Sequence, residues 1–227
     1  MAEPDPKPAS TTPAGPFAGA ALSDARFIRA DLRGMDFTGA QLDGANFIGA
    51  DLRGAKFTGA DLSGSVLHGA TLTGADLTGA CLANADLQRA DISSACLANA
   101  DLTRAVFDGA CLAGANLTSA DARSASFLRA DLAQANLTKA DVTGAALAGA
   151  DLTDANLTGT RGATIAVFHA RNAVHWSTGK ALQAIAQDRG IAEYTNEVEP
   201  VLEHARRQGI DATAPGTTQQ PPSISWA

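Results

Sequence analysis

The chain has 227 residues, 45% of them hydrophobic, and carries 24 acidic against 17 basic side chains for a formal net charge of −7. No apolar stretch approaches 18 residues and none follows a basic start, so neither a membrane span nor a signal peptide is expected. An acidic chain is not expected to bind nucleic acid directly, and three Cys, an odd number, suit a reducing, cytoplasmic setting without disulfides.

Residues 1–16 hold five Pro among Ala, Ser and Thr and read as a disordered tail. A strict repeat follows. Leu, Phe, Ile or Val stands at position 22 and at each fifth position through Leu157, 28 places in one register, with Ala122 the only small occupant. Phe17 belongs to the same register. Two residues before each of the 28 the chain has Ala, except at Met35 and Ser65, and the residue between is usually Asp or Asn. A helix needs apolar residues at 3.6 spacing and a half-buried strand needs alternation, so period five is neither. Such a short period means a solenoid, whose units bury their apolar residues only by stacking on copies of themselves. Within a pentad, Ala and the large residue point the same way, as in a short extended segment. The fifth residue turns the chain. It is Gly at Gly39, Gly59, Gly79 and Gly109, which suits a tight corner, but Arg89, Asn99, Ser119, Gln134 and Lys139 stand at other corners.

The pattern Ala, Asp or Asn, Leu, any, any resembles the pentapeptide-repeat family. It is closest at 75–79 (ADLTG), at 100–102, at 115–119 (ANLTS) and at 155–159 (ANLTG). The resemblance covers residues 20–160 and implies an all-β solenoid, a right-handed quadrilateral β-helix with four pentads per coil. The large residue and the Ala then point inward and the other three face solvent. Twenty-eight pentads give seven coils, roughly 34 Å of rod at ~4.8 Å per coil.

Residues 20 apart stack on one face, so the sequence sorts into four. Face one is centred on Leu22, Leu42 and Leu62, face two on Phe27 and Phe47, face three on Leu32 and Leu52, and face four on Phe37 and Phe57. The Phe residues fall on two faces only: Phe27, Phe47, Phe107 and Phe127 on face two, and Phe17, Phe37 and Phe57 on face four. They read as core, with opposite faces sharing a narrow lumen. Ala122 needs either a filled gap, with Phe127 as the filler, or a local bend, since an unfilled Leu-to-Ala cavity costs ~2–5 kcal/mol.

Charge sorts by face too. Face one carries Asp24, Asp43, Asp61, Asp101, Asp121 and Asp141 against Arg104 and Arg123. Face three carries Asp31, Asp51, Asp91, Asp131, Asp151 and Asp154 against Arg33 and Arg53. Face four is balanced, with Asp36 and Asp76 against Lys56 and Lys139. Face two is slightly basic, with Arg26, Arg29, Arg89 and Arg129 against Asp86 and Asp108. Its outward positions also include Ile28, Ile48, Val66, Val106 and Leu128, which are expected to lie in line along the rod. An apolar stripe with an arginine rim is a candidate interface; casual drift of surface residues is the other reading. On face four, Thr38, Thr58, Thr78, Thr118, Thr138 and Thr158, with Asn116, Asn136 and Asn156, read as a hydrogen-bonded ladder. One Thr per strand is a sparse array for ice binding.

After Thr160 the register fails, and 161–211 read as a helical cap. Ser177 or Thr178 caps a first helix ending at Gly190. Asn196 and Glu199 form a capping box for a second, ended by Gly209. Leu182, Ile185, Ile191, Val198, Val201 and Leu202 would cover the last coil, whose open end otherwise templates aggregation. At the other end, either Phe17 with the proline segment or a second copy covers the first coil. Residues 212–227 read as a second disordered tail.

No catalytic residue, cofactor site or metal site is expected. Cys81, Cys96 and Cys111 lie on three different faces, so no two stack and no ligand set converges. His68, His169, His175 and His204 show no paired spacing. Ser177, Thr178, Gly179 and Lys180 lack the first Gly of a phosphate loop, whose place Val174 takes.

Two functions follow. One is a non-catalytic interaction or scaffold rod that binds another protein, with homodimerisation through an end or face two as a further expectation. The resemblance implies the alternative: some members mimic DNA and protect DNA gyrase or topoisomerase IV from quinolones or other poisons. Here that role would fall to Asp61, Asp101, Asp121 and Asp141 on face one and to Asp31, Asp51, Asp91, Asp131 and Asp151 on face three. Residues 20–159 hold 16 Asp and 10 Lys or Arg, a balance of −6, where duplex DNA would carry roughly 20 charges over ~34 Å at one per ~1.7 Å.

Overall fold

A computed structural model describes residues 17–162. The expected tails at 1–16 and 212–227 and the expected helical cap lie outside the described residues.

Every pentad repeats one backbone pattern. The residue before each core position forms a parallel bridge to its counterpart 20 residues on, from Ala21 with Gln41 to Asp141 with Arg161. Four corners per 20 residues make a quadrilateral β-helix, with seven coils over 20–159. Three backbone hydrogen bonds join each pentad to the coil above: Gln41 N–H donates to Ala20 C=O at 2.9 Å, Leu22 N–H to Gln41 C=O at 2.7 Å, and Asp24 N–H to Asp43 C=O at 2.9 Å. A fourth closes the corner, as Ala25 N–H donates to Leu22 C=O at 3.0 Å. That bond, with positive φ at the third turn residue, is a type II turn.

The corner geometry is uniform whatever residue occupies it. Gly39 has φ 65° and Gly79 64°, but Arg89 has 57°, Gln134 58° and Lys139 60°. Thirteen non-glycine corners, from Asp24 to Asp154, are held in this left-handed region. The fold therefore dictates the corner and glycine only makes it easier, at a conformational cost to other residues of ~1–2 kcal/mol.

The core is continuous. Leu42, Leu62, Leu82 and Leu102 on face one are fully buried, as are the Ala residues beside them. The two Phe stacks run along the axis: Phe17, Phe37 and Phe57 at successive centroid distances of 5.0 and 5.0 Å, and Phe27 with Phe47 at 4.9 Å. Between faces two and four, rings meet edge to face at 5.9–6.3 Å, so opposite faces do share the lumen. Phe107 stacks on Phe127 at 4.9 Å. At Ala122 there is no bend in the ladder: Ala122 N–H donates to Asp141 C=O at 2.8 Å and the residue is buried between Leu102 and Val142.

Phe17 stands on face four as expected, stacked on Phe37, so it does not itself fold across the open end, and Phe17, Leu22 and Phe27 are only partly buried. The ladder also runs one rung past Thr160, because Arg161 N–H donates to Ala140 C=O at 2.9 Å and Val142 N–H to Arg161 C=O at 2.9 Å. Gly162 then occupies the next core slot with φ 72°, and a Cβ there would lie 2.4 Å from Thr143 Cα. A larger residue in that slot cannot follow this path, and Leu157 is the last residue in the regular core register among the described residues.

The corner and core rules can be checked by unfolding. Gln134→Gly or Lys139→Gly relieves ~1–2 kcal/mol of left-handed strain against ~0.4–1 kcal/mol of added unfolded-chain entropy, for an expected gain of roughly 0.5–1 kcal/mol. Gly39→Ala should lose about as much as it adds in strain, since nothing lies within 4 Å of the new methyl. Ser65, the one polar residue at an Ala position, is fully buried with an unpartnered hydroxyl. Ser65→Ala should raise stability by ~1–3 kcal/mol; denaturant unfolding showing no gain would refute this.

Candidate interaction faces

Of the five N–H groups in a pentad, four have the backbone partners described above. The fifth, on the residue after the core position, has none. The Asp or Asn two places earlier supplies its acceptor. Thr38 N–H donates to Asp36 Oδ1 at 3.0 Å, Ser63 to Asp61 at 2.9 Å, Thr103 to Asp101 at 2.9 Å and Thr158 to Asn156 at 3.0 Å. All 16 pentads of 20–159 with Asp or Asn at this place make the bond. This local Asx bond explains the repeat's preference for a short acceptor side chain. Sequence reading missed it, although the absence of Glu between 20 and 159, whose longer stem misses this reach, was the available signal.

The two acidic faces are thus partly structural. Asp101, Asp121 and Asp141 stand on successive rungs of face one, and Asp31 with Asp51 and Asp131 with Asp151 on face three. Asp61 and Asp91 stand in the same two columns. In each of these Asp residues, Oδ1 holds a backbone N–H. Three are also neutralised within their own pentads, by Arg33 on Asp31, Arg53 on Asp51 and Arg123 on Asp121, with guanidinium contacts of 2.5–2.6 Å. Arg33 holds the Asp31 carboxyl down at about 2. The same kind of contact lowers Asp51 and Asp121, and hydrogen bonds from Thr38 and Thr78 lower Asp36 and Asp76. At Asp91, burial acts upward but is outweighed by hydrogen bonds from Ser93 and Thr73.

Face four spends its polar groups the same way. Thr118, Thr138 and Thr158 hydroxyls donate to Asn116, Asn136 and Asn156 Oδ1 at 2.6–2.8 Å, and Asn136 Nδ2 donates to Thr118 Oγ1 at 3.1 Å. These hydroxyls are thus engaged within their own pentads, and the bond from Asn136 to Thr118 ties two coils together. The three Cys are free, on separate faces, with Cys81 and Cys111 beside Asp101 and Asp131. Among the described residues no His, Cys, Asp or Glu group could hold a metal. Of the four His, only His68 is among them; Ser177 to Lys180 lie outside.

Face two breaks these rules. Its seven Asx positions read Arg26, Asn46, Val66, Asp86, Val106, Ser126 and Ala146, so five of the seven lack the local acceptor; of these, Leu128 N–H is held instead by Asp108 Oδ1 of the preceding coil at 3.2 Å. Faces one, three and four lack three, two and two. Arg26, Arg29, Arg89 and Arg129 have no carboxylate at ion-pair distance among the described residues; Arg104 on face one shares that state. At the corner toward face three, the stems of Arg29, Arg89 and Arg129 each lie over the glycine of the next coil. Their Cγ atoms stand 3.5, 3.9 and 3.2 Å from where a Cβ on Gly49, Gly109 or Gly149 would be. Ile28, Ile48 and Leu128 are exposed at 40, 37 and 37%, the only large apolar residues so exposed among the described ones.

The expected single line of apolar residues is corrected here. Ile28, Ile48 and Leu128 share the column after the core residue, whereas Val66 and Val106 are half-buried in the column before it. His68, Gln88 and Asp108 separate Ile48 from Leu128 in the first column. A side chain two places away in a pentad lies on the other side of the core residue, so nearness in sequence does not put these residues in line.

The family model for pentapeptide repeats matches residues 17–54, 50–89, 85–121 and 125–161, in eight copies. The chain belongs to the pentapeptide-repeat family. It therefore shares the family's right-handed quadrilateral β-helix. Among solved structures, this pentapeptide-repeat protein is similar to Rfr23 of the cyanobacterium Cyanothece 51142 (38% identity over 38% of this chain and 58% of that one, TM-score 0.38). It spans less than two thirds of that relative. It is similar to HetL of Nostoc, a protein involved in heterocyst differentiation regulation (34% identity, 62% and 73% covered, TM-score 0.29). It is also similar to QnrB1, a plasmid-mediated fluoroquinolone resistance protein (27% identity, 70% and 84% covered, TM-score 0.46). Comparison with curated proteins finds no match.

The lowered carboxyls set an acid limit. Because their folded values lie below the ordinary 3.8, the stability they confer is complete above that value and lost as pH falls through the folded ones, down to about 2 for Asp31. Melting temperature should be flat from neutrality to about pH 4 and fall below it. The cap itself is separable from charge: Asp101→Asn should leave stability nearly unchanged, while Asp101→Ala should lose ~0.5–1.5 kcal/mol. Equal losses in both variants would remove the capping role.

Proposed function

We propose that this pentapeptide-repeat protein is a non-catalytic interaction rod that docks a protein partner on face two. The observation that carries the reading is the concentration of broken repeat rules there. Five of seven Asx residues are given up, four arginines have no carboxylate at ion-pair distance among the described residues, and the exposed Ile28, Ile48 and Leu128 stand beside the arginine corner. On the other faces most polar groups serve the fold. Places where a sequence departs from its own structural consistency tend to be functional ones, and apolar centres with Arg rims are the composition of interfaces. The free thiols suit a reducing setting, and the cytoplasm is the proposed location.

A second reading, topoisomerase binding by DNA mimicry, is favoured by the stacked column Asp101, Asp121 and Asp141. Against it, the net −6 of 20–159 is a fraction of the roughly 20 charges of a duplex of this length, and Arg123 neutralises Asp121.

Affinity capture from the native cell separates the two. Ile28→Ser with Ile48→Ser and Leu128→Ser should leave the fold intact and abolish capture of the partner. Asp101→Asn with Asp121→Asn and Asp141→Asn removes the charge column and keeps the caps, as Lys would not. Under the face-two reading this variant captures normally, and the purified protein leaves gyrase supercoiling unchanged at micromolar concentration. Inhibition or protection of gyrase that the Asn variant loses would instead establish the second reading.

A further inference from the structure

We propose that the occupant of face two is an acidic amphipathic helix of another protein, lying along the rod axis. This rests on face two being the docking face. Three geometrical facts select a helix. First, the interior pentads of the face have their ladder N–H and C=O groups already paired coil to coil, so a partner cannot add a strand there and must bind through side chains. Second, a face three extended residues wide spans ~10 Å, which matches the ~10–12 Å diameter of one helix. Third, the corner arginines are spaced in near-helical steps. Arg29 and Arg89 are three coils apart and Arg89 and Arg129 two, or ~14 and ~10 Å at ~4.8 Å per coil. Three and two helical turns span ~16 and ~11 Å, and a flexible Arg stem absorbs the difference. Carboxylates three and two turns apart on a helix of about 18 residues would meet all three guanidiniums. Aliphatic residues on the adjoining stripe would cover Ile28, Ile48 and Leu128.

Charge excludes the competing occupants. Face two is flanked by faces one and three, whose Asp columns would repel the wide, uniformly charged surface of a duplex at both edges, whereas a narrow helix keeps its carboxylates on the arginine column. A second copy presenting its own face two would set arginine against arginine. One presenting face one or three would offer carboxylates already engaged by backbone N–H groups or by Arg33, Arg53 and Arg123.

The test uses the full chain and a fluorescein-labelled synthetic helix of about 20 residues, the length of ~30 Å. It carries a Leu stripe and three Glu placed three and two turns apart along one edge. Controls are the same peptide with those Glu changed to Lys and a labelled 12-base-pair duplex. By fluorescence anisotropy the Glu peptide should bind at least tenfold tighter than either control and weaken as salt is raised. Arg29→Gly with Arg89→Gly and Arg129→Gly, which relieves the strain of three left-handed corners, should weaken it at least tenfold while circular dichroism is unchanged and the melting temperature does not fall. Arg33→Gln with Arg53→Gln should change nothing. The proposal is overturned if the Glu and Lys peptides bind alike, if the Arg→Gly variant binds unchanged, or if the duplex binds tighter. It is also overturned if sedimentation shows self-association that the Ser variant of Ile28, Ile48 and Leu128 abolishes. Loss of cellular capture in that Ser variant, with no binding of the Glu peptide, would leave the docking face standing and reject the helix.

Discussion

The structure depends on the backbone hydrogen bonds between residues 20 apart. An isolated pentad buries nothing and pairs with nothing. Stacked on the next coil, it gains three inter-coil bonds and encloses its Ala and its large residue in one lumen. Everything else is a consequence of keeping that stacking in register. The corner must adopt positive φ whichever residue stands there. The one N–H the ladder leaves over must find a side chain, and the short Asp or Asn two places earlier is in reach. Even the Phe residues obey it, forming stacks along the axis at about the rung spacing.

That economy shapes function. A rod whose Asp, Asn and Thr side chains are committed to its own backbone has few free groups for chemistry, and no described cluster converges on a point where a metal could sit. What remains is surface. Face two is distinguished by what it gives up: valine, arginine, serine or alanine where the repeat would place a capping acceptor. Giving up caps costs stability, and the same face is the one that exposes aliphatic side chains beside arginines with no carboxylate at ion-pair distance among the described residues. The cost and the exposed chemistry fall together, which is the pattern expected of a surface shaped by a partner rather than by the fold.

The acidic faces illustrate the opposite case. Counted from sequence they look alike, six Asp against two Arg on each. In the structure Arg33, Arg53 and Arg123 fold back on the Asp of their own pentads, and Arg33 also approaches Asp51 at 3.6 Å. Face three is thereby neutralised over its first two coils, whereas Asp91 and Asp131 have no cation at ion-pair distance among the described residues. On face one Arg123 pairs with Asp121, and Arg161 approaches Asp141 at 3.9 Å. Such exposed pairs contribute little stability, but they change which carboxylates a partner would meet.

The sequence by itself determined the period, the inward and outward positions, the four faces, the two Phe stacks and the core burial of Leu62, Leu82 and Leu102. These follow from one rule applied every 20 residues, because in a solenoid each residue's neighbours are set by register alone. Tertiary structure decided what register does not reach. It fixed positive φ at Gln134 and Lys139 as firmly as at Gly39, assigned Asp101 and its counterparts to capping, and split the apolar residues of face two into two columns. It extended the ladder to Arg161 and put Gly162, at positive φ, in the next core slot. It also separated Arg123, which pairs, from Arg129, whose stem lies over Gly149 and which has no carboxylate at ion-pair distance among the described residues. Those outcomes turn on side-chain reach and on distances of a few ångströms, which a repeating pattern of residue types does not contain.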